Sequence, residues 1–359
     1  MNKLYLEELK DFVILHIKSQ NSKHINYKKV LSQIDTYETE EEGSWEYEWK
    51  KEGDKVAEYS VMEAIQCYNF SRFPFPKNNT QKRCQKNINN SMEDINSGIY
   101  QKEIINTDEG KFSVLISNKS SKYPLLIVMG GIVSIKEQWI EFLKFGKKFG
   151  YTVILAEFPR VGENTLFFHR NSYKMIDSIL NHFKGCINTN EVYYVGMSFG
   201  GQLGVQQACS DNRIKGIVTV GAPLSCFYSI NDYEWEKLPN ITKETLSYIT
   251  GLEKRTLLKS LNTLAINVEK FKNFSIPITY IQSIYDEIIP YEEGEFLKKN
   301  VRKLNLVKFL DIHGSPNYMK ELKLIIMLNV LKQSKKNIYS FIVNIAYSFF
   351  KLIRIIREG

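Results

Sequence analysis

Glu191-Val192-Tyr193-Tyr194-Val195-Gly196-Met197-Ser198-Phe199-Gly200-Gly201-Gln202-Leu203-Gly204 decides the fold. A β-branched and aromatic run leads into Gly-x-Ser-x-Gly, and a small-residue helical pattern follows. This is the order of a nucleophile elbow, in which a serine sits on a sharp, strained strand-to-helix turn. Glycines at 196 and 200 let that turn close where side chains would clash with the neighbouring strand and helix. The turn lifts the serine hydroxyl clear of the sheet and sets it beside a helix N-terminus. The N–H groups exposed there stabilise a developing negative charge. Gly-x-Ser-x-Gly by itself also describes an ordinary glycine-rich turn, so the rest of the chain has to carry the argument.

Upstream, the chain alternates between buried strands and helices from residue 99 onward. Residues 100–106 and 111–117 read as a hairpin around Asp108-Glu109-Gly110. The continuous apolar run 125–129 suits a strand covered on both faces of a parallel sheet. It exits through Gly130-Gly131-Ile132-Val133-Ser134 into a helix over 135–149, and the next strand, 151–156, exits through Glu157-Phe158-Pro159-Arg160-Val161-Gly162-Glu163-Asn164. Downstream of the elbow helix, a strand over 216–221 ends in Gly221-Ala222-Pro223. Residues 224–271 interrupt the rhythm with helical, aromatic-rich sequence, the length of an inserted lid. Strands over 278–282 and 306–310 resume the sheet. They exit at Ser283-Ile284-Tyr285-Asp286-Glu287 and at Asp311-Ile312-His313-Gly314-Ser315-Pro316-Asn317, and a last core helix runs to about 333. The expected class is therefore α/β: a doubly wound, mostly parallel sheet with sites gathered at the carboxyl ends of its strands.

Ser198, Asp286 and His313 each fall at such an exit, in the chain order of a triad on this architecture. The chemistry needs all three. A serine hydroxyl is a poor nucleophile until an imidazole takes its proton, and a carboxylate must hold that imidazole in one tautomer. Glu287, next to Asp286, is a substitute for the carboxylate role. The other histidines, His16, His24 and His182, read as structural or exposed, and His169, near a strand exit, reads as a packing residue or as part of the pocket lining. The oxyanion hole is expected from the N–H of Phe199 and an N–H of the Gly130-Gly131-Ile132 loop. Val133, Arg160, Pro223 and Tyr285, beside these exits, are the candidates for substrate contact.

The ends of the chain read differently. Residues 1–98 are mostly helical, with Trp45 and Trp49 on one face and a second helix expected over 55–68, broken by Ser71-Arg72-Phe73-Pro74-Phe75-Pro76. They form an N-terminal helical domain before the core of residues 99–334. Residues 335–359 form an amphipathic helix whose polar stripe (Asn337, Ser340, Asn344, Ser348, Lys351, Arg354, Glu358) is narrow. Such a helix packs on the N-terminal domain or a second subunit, or lies at a membrane surface.

With 359 residues, 43% of them hydrophobic, the chain has the composition of a folded globular protein. Its net charge of +8 is spread along the sequence, which argues against nucleic-acid binding. Five scattered cysteines without a Cys-x-x-Cys imply neither a metal cage nor a disulfide framework and fit a reducing compartment. No signal peptide is evident at the first residues, so a cytoplasmic protein, peripheral to a membrane if the last helix is interfacial, is the expectation.

Residues 125–137, reading through Gly130-Gly131-Ile132-Val133-Ser134-Ile135-Lys136-Glu137, resemble the "GGL-acid-S-x-KEE" stretch of FrsA-like α/β-hydrolases. That family includes the fermentation-respiration switch protein and the pseudooxynicotine-type carbon–carbon bond hydrolases. Glu157-Phe158-Pro159-Arg160-Val161-Gly162-Glu163 is similar to its "D-x-P-G-x-G-E" loop, and His313 is followed four residues on by Asn317, as in the family. The helical block with Arg72-Phe73-Pro74-Phe75 is similar to the domain that precedes its core. The resemblance implies an α/β-hydrolase fold and triad roles for Ser198, Asp286 and His313. Two positions depart from it. Val133 stands where members carry an acid, and valine can neither accept nor donate a proton. Arg160 replaces a glycine. The expected function is a serine hydrolase acting on an ester or thioester of a partly hydrophobic small molecule, without cofactor or metal. An acyltransferase or carbon–carbon hydrolase on the same residues, and a non-catalytic scaffold of this fold, are the alternatives.

Overall fold

A computed structural model describes residues 3–20, 22–37, 39–94, 98–272 and 274–358. They divide into two units, Met1–Ile99 with Pro239–Tyr248, and Tyr100–Leu238 with Ile249–Gly359. The first unit holds α1 (Lys3–Gln20), α2 (Tyr27–Gln33), α3 (Trp45–Val56), α4 (Val61–Ser71) and α5 (Asn79–Asp94). Trp45 and Trp49, one turn apart on α3, are fully buried. The Trp45 indole donates to the Phe70 carbonyl at 2.8 Å, and the Trp49 ring lies 5.0 Å from that of Phe70.

The helix expected over 55–68 is in fact two helices, with a break at 57–60. Ser60 caps α4 by accepting from the Glu63 N–H. Ser60-x-x-Glu63 is a helix-start signature, and it prevails over the helical run on either side. The first unit also includes residues 239–248. The Glu8 carboxylate accepts from the Ile241 N–H at 2.6 Å, and Tyr248 stacks on Phe75 with centroids 4.2 Å apart.

The second unit is built on one sheet. Its strands are β1 (Gln101–Thr107), β2 (Gly110–Ile116), β3 (Pro124–Met129), β4 (Thr152–Ala156), β5 (Asn188–Met197), β6 (Ile214–Val220), β7 (Ile278–Ser283) and β8 (Leu304–Phe309), in spatial order β1-β2-β4-β3-β5-β6-β7-β8. The β1–β2 and β2–β4 pairs are antiparallel and the rest parallel. Strands β3 and β4 are buried throughout save Pro124, as expected for strands covered on both faces. The helices are α6 (Glu141–Phe149), α7 (Lys174–His182), α8 (Phe199–Ala208), α9 (Asp232–Lys237), α10 (Asn240–Thr250), α11 (Lys254–Ser260), α12 (Glu292–Asn300), α13 (Met319–Gln333) and α14 (Asn337–Glu358). The helix expected over 135–149 begins instead as a 3-10 turn, Lys136–Trp139, before α6.

The order reverses at β3, with β4 on one side and β5 on the other. A crevice opens at such a reversal, where the connections leave in opposite directions. Register places Met129 of β3 beside Gly196 of β5, and Met197 beside Val220 of β6. The β3 exit and the elbow are therefore neighbours.

The insertion over 224–271 contains α9, α10, α11 and three 3-10 turns, and its middle, 239–248, groups with the first unit. Its two ends are fixed to the sheet unit. Glu293 accepts from the N–H groups of Leu224, Ser225 and Phe227, and Gln202 donates to the Leu264 carbonyl at 2.7 Å. The last helix, α14, packs on α13, a neighbour that its sequence does not name.

Candidate active site

The elbow is where the sequence places it. Ser198 joins β5 to α8 with φ 51° and ψ −131°, a conformation costly for any side-chain-bearing residue. Its surroundings over-determine it. The Ser198 N–H donates to the Val220 carbonyl at 2.7 Å, the Thr219 hydroxyl to the Gly196 carbonyl at 2.8 Å, and the Tyr194 hydroxyl to the Gly200 carbonyl at 2.7 Å. A Cβ at position 196 would lie 2.3 Å from Gly201 Cα, and one at 200 would lie 2.3 Å from the Gly130 carbonyl oxygen. No side chain fits at either position, which is why both are glycine.

His313 and Asp286 reach this serine from the exits of β8 and β7. His313 Nε2 is 2.8 Å from Ser198 Oγ, and His313 Nδ1 is 3.0 and 2.9 Å from the two Asp286 oxygens. A carboxylate only accepts, so Nδ1 carries the proton and Nε2 offers its lone pair to the serine hydroxyl. Asp286 Oδ1 also accepts from the N–H groups of Ile288 and Ile289, at 3.0 and 2.8 Å, which fixes its rotamer. Glu287 is not in that position. It accepts from the backbone N–H of His313 at 3.0 Å and does not touch the ring.

The histidine loop is itself tied down, because Asp311 accepts from the N–H and the side-chain amide of Asn317, both at 2.8 Å. Burial pulls the His313 pKa down, but the charge and hydrogen bond of Asp286, with Glu287 adding to them, outweigh it and leave the value raised.

Phe199 opens α8, so its N–H is among those a helix leaves without an internal acceptor. Gly131 lies against the serine, since a Cβ there would be 3.0 Å from Ser198 Cβ and 3.5 Å from Oγ. Ile132 follows in a turn closed by the Ser134 N–H on the Gly131 carbonyl. Of the residues named for substrate contact, Val133 is half-buried, Pro223 is buried and Tyr285 is 63% exposed. Arg160 has φ 62°, in the left-handed region that favours glycine, and its guanidinium lies 4.2 Å above the Phe167 ring. His169 pairs with Glu109 at the surface, 2.9 Å away. Among the described residues, no three His, Cys, Asp or Glu side chains cluster as metal ligands would.

One group beside the site was not legible as a unit. Lys136, fully buried, has its ammonium 2.9 Å from Glu137, 3.2 Å from Glu157 and 2.8 Å from Glu163. Lys102 and the Ser113 hydroxyl also reach Glu163, each at 2.7 Å. Burial raises the Glu157 carboxyl, which Lys136 lowers and the neighbouring carboxylates raise further, leaving it high. For Glu163 burial is outweighed by Lys136 and Lys102, which hold it at about 2. The cluster ties the β3 exit, which carries Gly131 and Ile132, to the β4 exit. Lys136→Met removes the shared cation and is expected to destabilise the fold by about 3–5 kcal/mol, since buried carboxylates lose their partner. Urea unfolding measures this as a lower midpoint at unchanged slope. A loss below about 1 kcal/mol would mean that the cluster is as weak as surface pairs are.

No family model matches the chain, and no curated protein matches it by sequence. Solved structures do. It is similar to AbyA5 at 28% identity and a TM-score of 0.89, over 97% of this chain and 99% of that one. It is also similar in structure to 2,6-dihydroxy-pseudo-oxynicotine hydrolase at 15% identity and a TM-score of 0.65, over 89% of this chain and 93% of that one. An esterase of Pyrococcus furiosus matches at 16% identity and a TM-score of 0.51, over 66% of this chain and 91% of that one. The mostly parallel sheet, its reversal at β3 and these likenesses give the fold: the chain has the α/β-hydrolase architecture.

Proposed function

We propose that the chain is a serine hydrolase that cleaves an ester or thioester through an acyl-enzyme, with Ser198 as nucleophile, His313 as base and acid, and Asp286 as the group that orients His313. The observation that carries this reading is the continuous line of hydrogen bonds from Ser198 Oγ through the imidazole to Asp286, set on an elbow held in a strained conformation. Ser198 Oγ attacks the carbonyl carbon while its proton passes to His313 Nε2. The oxyanion is held by N–H groups at Phe199 and in the Gly131-Ile132 turn. The intermediate collapses, the leaving alcohol or thiol takes the proton from Nε2, and water repeats the sequence to release the acid. An acyltransferase differs only in the acceptor that replaces water.

The likeness to pseudo-oxynicotine hydrolase and the motifs at 130–137 and 157–163 support a place near the FrsA-like group. Val133 argues against carbon–carbon cleavage, because it puts an apolar, proton-inert side chain where that chemistry uses an acid. The apolar side chains of Ile132 and Val133 at the β3 exit, beside Ser198, favour an acyl or aryl group of moderate size.

A fluorophosphonate probe tests the reading. The expected result is stoichiometric labelling of the folded protein, lost in Ser198→Ala, with turnover of acyl esters or thioesters and none of β-diketones. Folded protein that refuses the probe would point to a non-catalytic scaffold. Faster turnover of β-diketones than of esters would point to carbon–carbon hydrolysis.

A further inference from the structure

Helix α14 rests on α13 along one edge and leaves most of its apolar surface uncovered. Its inward face carries Ser340 and Val343, both buried, and Arg354, whose guanidinium meets Glu321 of α13 at 3.0 Å and lies 5.0 Å over the Phe309 ring. Its outward face is apolar: Ile338, Phe341, Ile345, Phe349, Leu352 and Ile356 are each more than half exposed. Six large apolar side chains in line along one helix form a contiguous patch of the kind that marks an interaction surface.

Charge decides among the occupants. Lys335 and Lys336 sit immediately before α14, Lys351 and Arg357 lie towards its end, and Glu358 is the only acid in the helix. A second copy of the chain is a poor fit. Parallel pairing sets Lys351 against Lys351, and antiparallel pairing sets the basic start of one helix against the basic end of the other, so either brings like charges together. An anionic bilayer complements both ends at once.

Residues Asn337–Ile356 are long enough to cross a membrane. Crossing would nevertheless strip α14 from α13 and leave the buried Glu321 carboxylate without Arg354. We propose that α14 stays on α13 and lies in the plane of an anionic lipid surface, with its apolar face among the headgroups and upper acyl chains and its lysines on the lipid phosphates. This goes beyond the reaction proposed above and does not depend on it.

Sedimentation of the full chain with vesicles tests this. Vesicles of phosphatidylcholine with phosphatidylglycerol are expected to bind it at least about tenfold more tightly than phosphatidylcholine alone, and raising salt from about 0.1 to 0.5 M should weaken that binding severalfold. Phe341→Glu with Ile345→Glu should lower partitioning by more than about tenfold. Lys335→Glu with Lys351→Glu, at two exposed positions that leave the fold alone, should remove the preference for anionic vesicles while keeping the thermal midpoint. Three results would overturn the proposal. One is absence from anionic vesicles at every salt. Another is a stable dimer that the Phe341→Glu, Ile345→Glu variant splits. The third is association that resists alkaline carbonate, which would mean that α14 spans the bilayer.

Discussion

An alanine at position 198 is expected to slow ester turnover by about 10⁶-fold, with what remains coming from the oxyanion site and substrate binding alone. The size of the loss follows from what stays behind. His313 and Asp286 keep their mutual hydrogen bonds, but the imidazole then has only a water to activate. That water is not fixed near the carbonyl carbon as Oγ is by the elbow. The variant should fold normally. Its backbone at position 198 meets the same φ of 51°, for which alanine is no better suited than serine, and the Ser198 N–H keeps its bond to Val220. Single-turnover kinetics on an activated acyl ester measures the effect, with circular dichroism as the check on folding. A variant that retained activity within about tenfold of the parent would remove Ser198 from the chemistry.

The elbow could be read in the sequence because it is local. Five residues set the turn, and the flanking strand and helix announce themselves by composition, so Gly196, Ser198 and Gly200 needed no tertiary information. The strand exits carrying Ser198 and Asp286 were legible for a related reason, since each follows a run that a buried strand explains. The strand before His313, β8, is instead a half-exposed edge strand and was legible only from its apolar Leu306 and Phe309. Which carboxylate faces the ring was not legible. Asp286 and Glu287 are adjacent, and only the turn at Ile288 and Ile289 settles the direction of each side chain.

The Lys136 cluster joins residues 113, 136, 157 and 163, and a buried ion pair looks like surface charge when it is read along a chain. The break at 57–60 was legible in principle from Ser60 and Glu63, but helical periodicity on both sides concealed it. The grouping of 239–248 with the first unit depends on contacts made more than two hundred residues away, such as Ile241 to Glu8. For α14, periodicity separates a polar face from an apolar one but cannot say which is covered. The ion pair of Arg354 with Glu321 and the burial of Ser340 and Val343 set the inward edge, while Ser348 and Lys351 of the polar stripe stay exposed.

Asp286→Asn is expected to lower kcat by about 10⁴-fold while leaving the backbone geometry unchanged. The present carboxylate accepts from Nδ1, which leaves Nε2 free to take the serine proton. An asparagine can turn its amide toward the ring and donate instead, which fixes the opposite tautomer and puts a proton on Nε2, facing Ser198. The charge is lost as well. Burial pulls His313 down and Asp286 is the chief group that raises it above its ordinary value of 6.5, so the midpoint of the pH profile of kcat/KM should move to lower pH in the variant. The sign differs for stability. With a raised folded-state value, the His313–Asp286 pair stabilises the parent fully below about 6.5 and progressively less as pH rises through that folded value. Activity rises over the same interval, because the base must be unprotonated. Asp286→Asn should therefore cost the fold most at acidic pH and cost turnover at every pH. Glu287→Gln is the control. Its carboxylate meets only a backbone N–H of the histidine loop, and its loss of turnover should stay within about tenfold, as for one hydrogen bond to a charged group. If Glu287→Gln proved the more damaging of the two, or if the acid-side midpoint failed to move in Asp286→Asn, the assignment of Asp286 as the orienting group would be wrong.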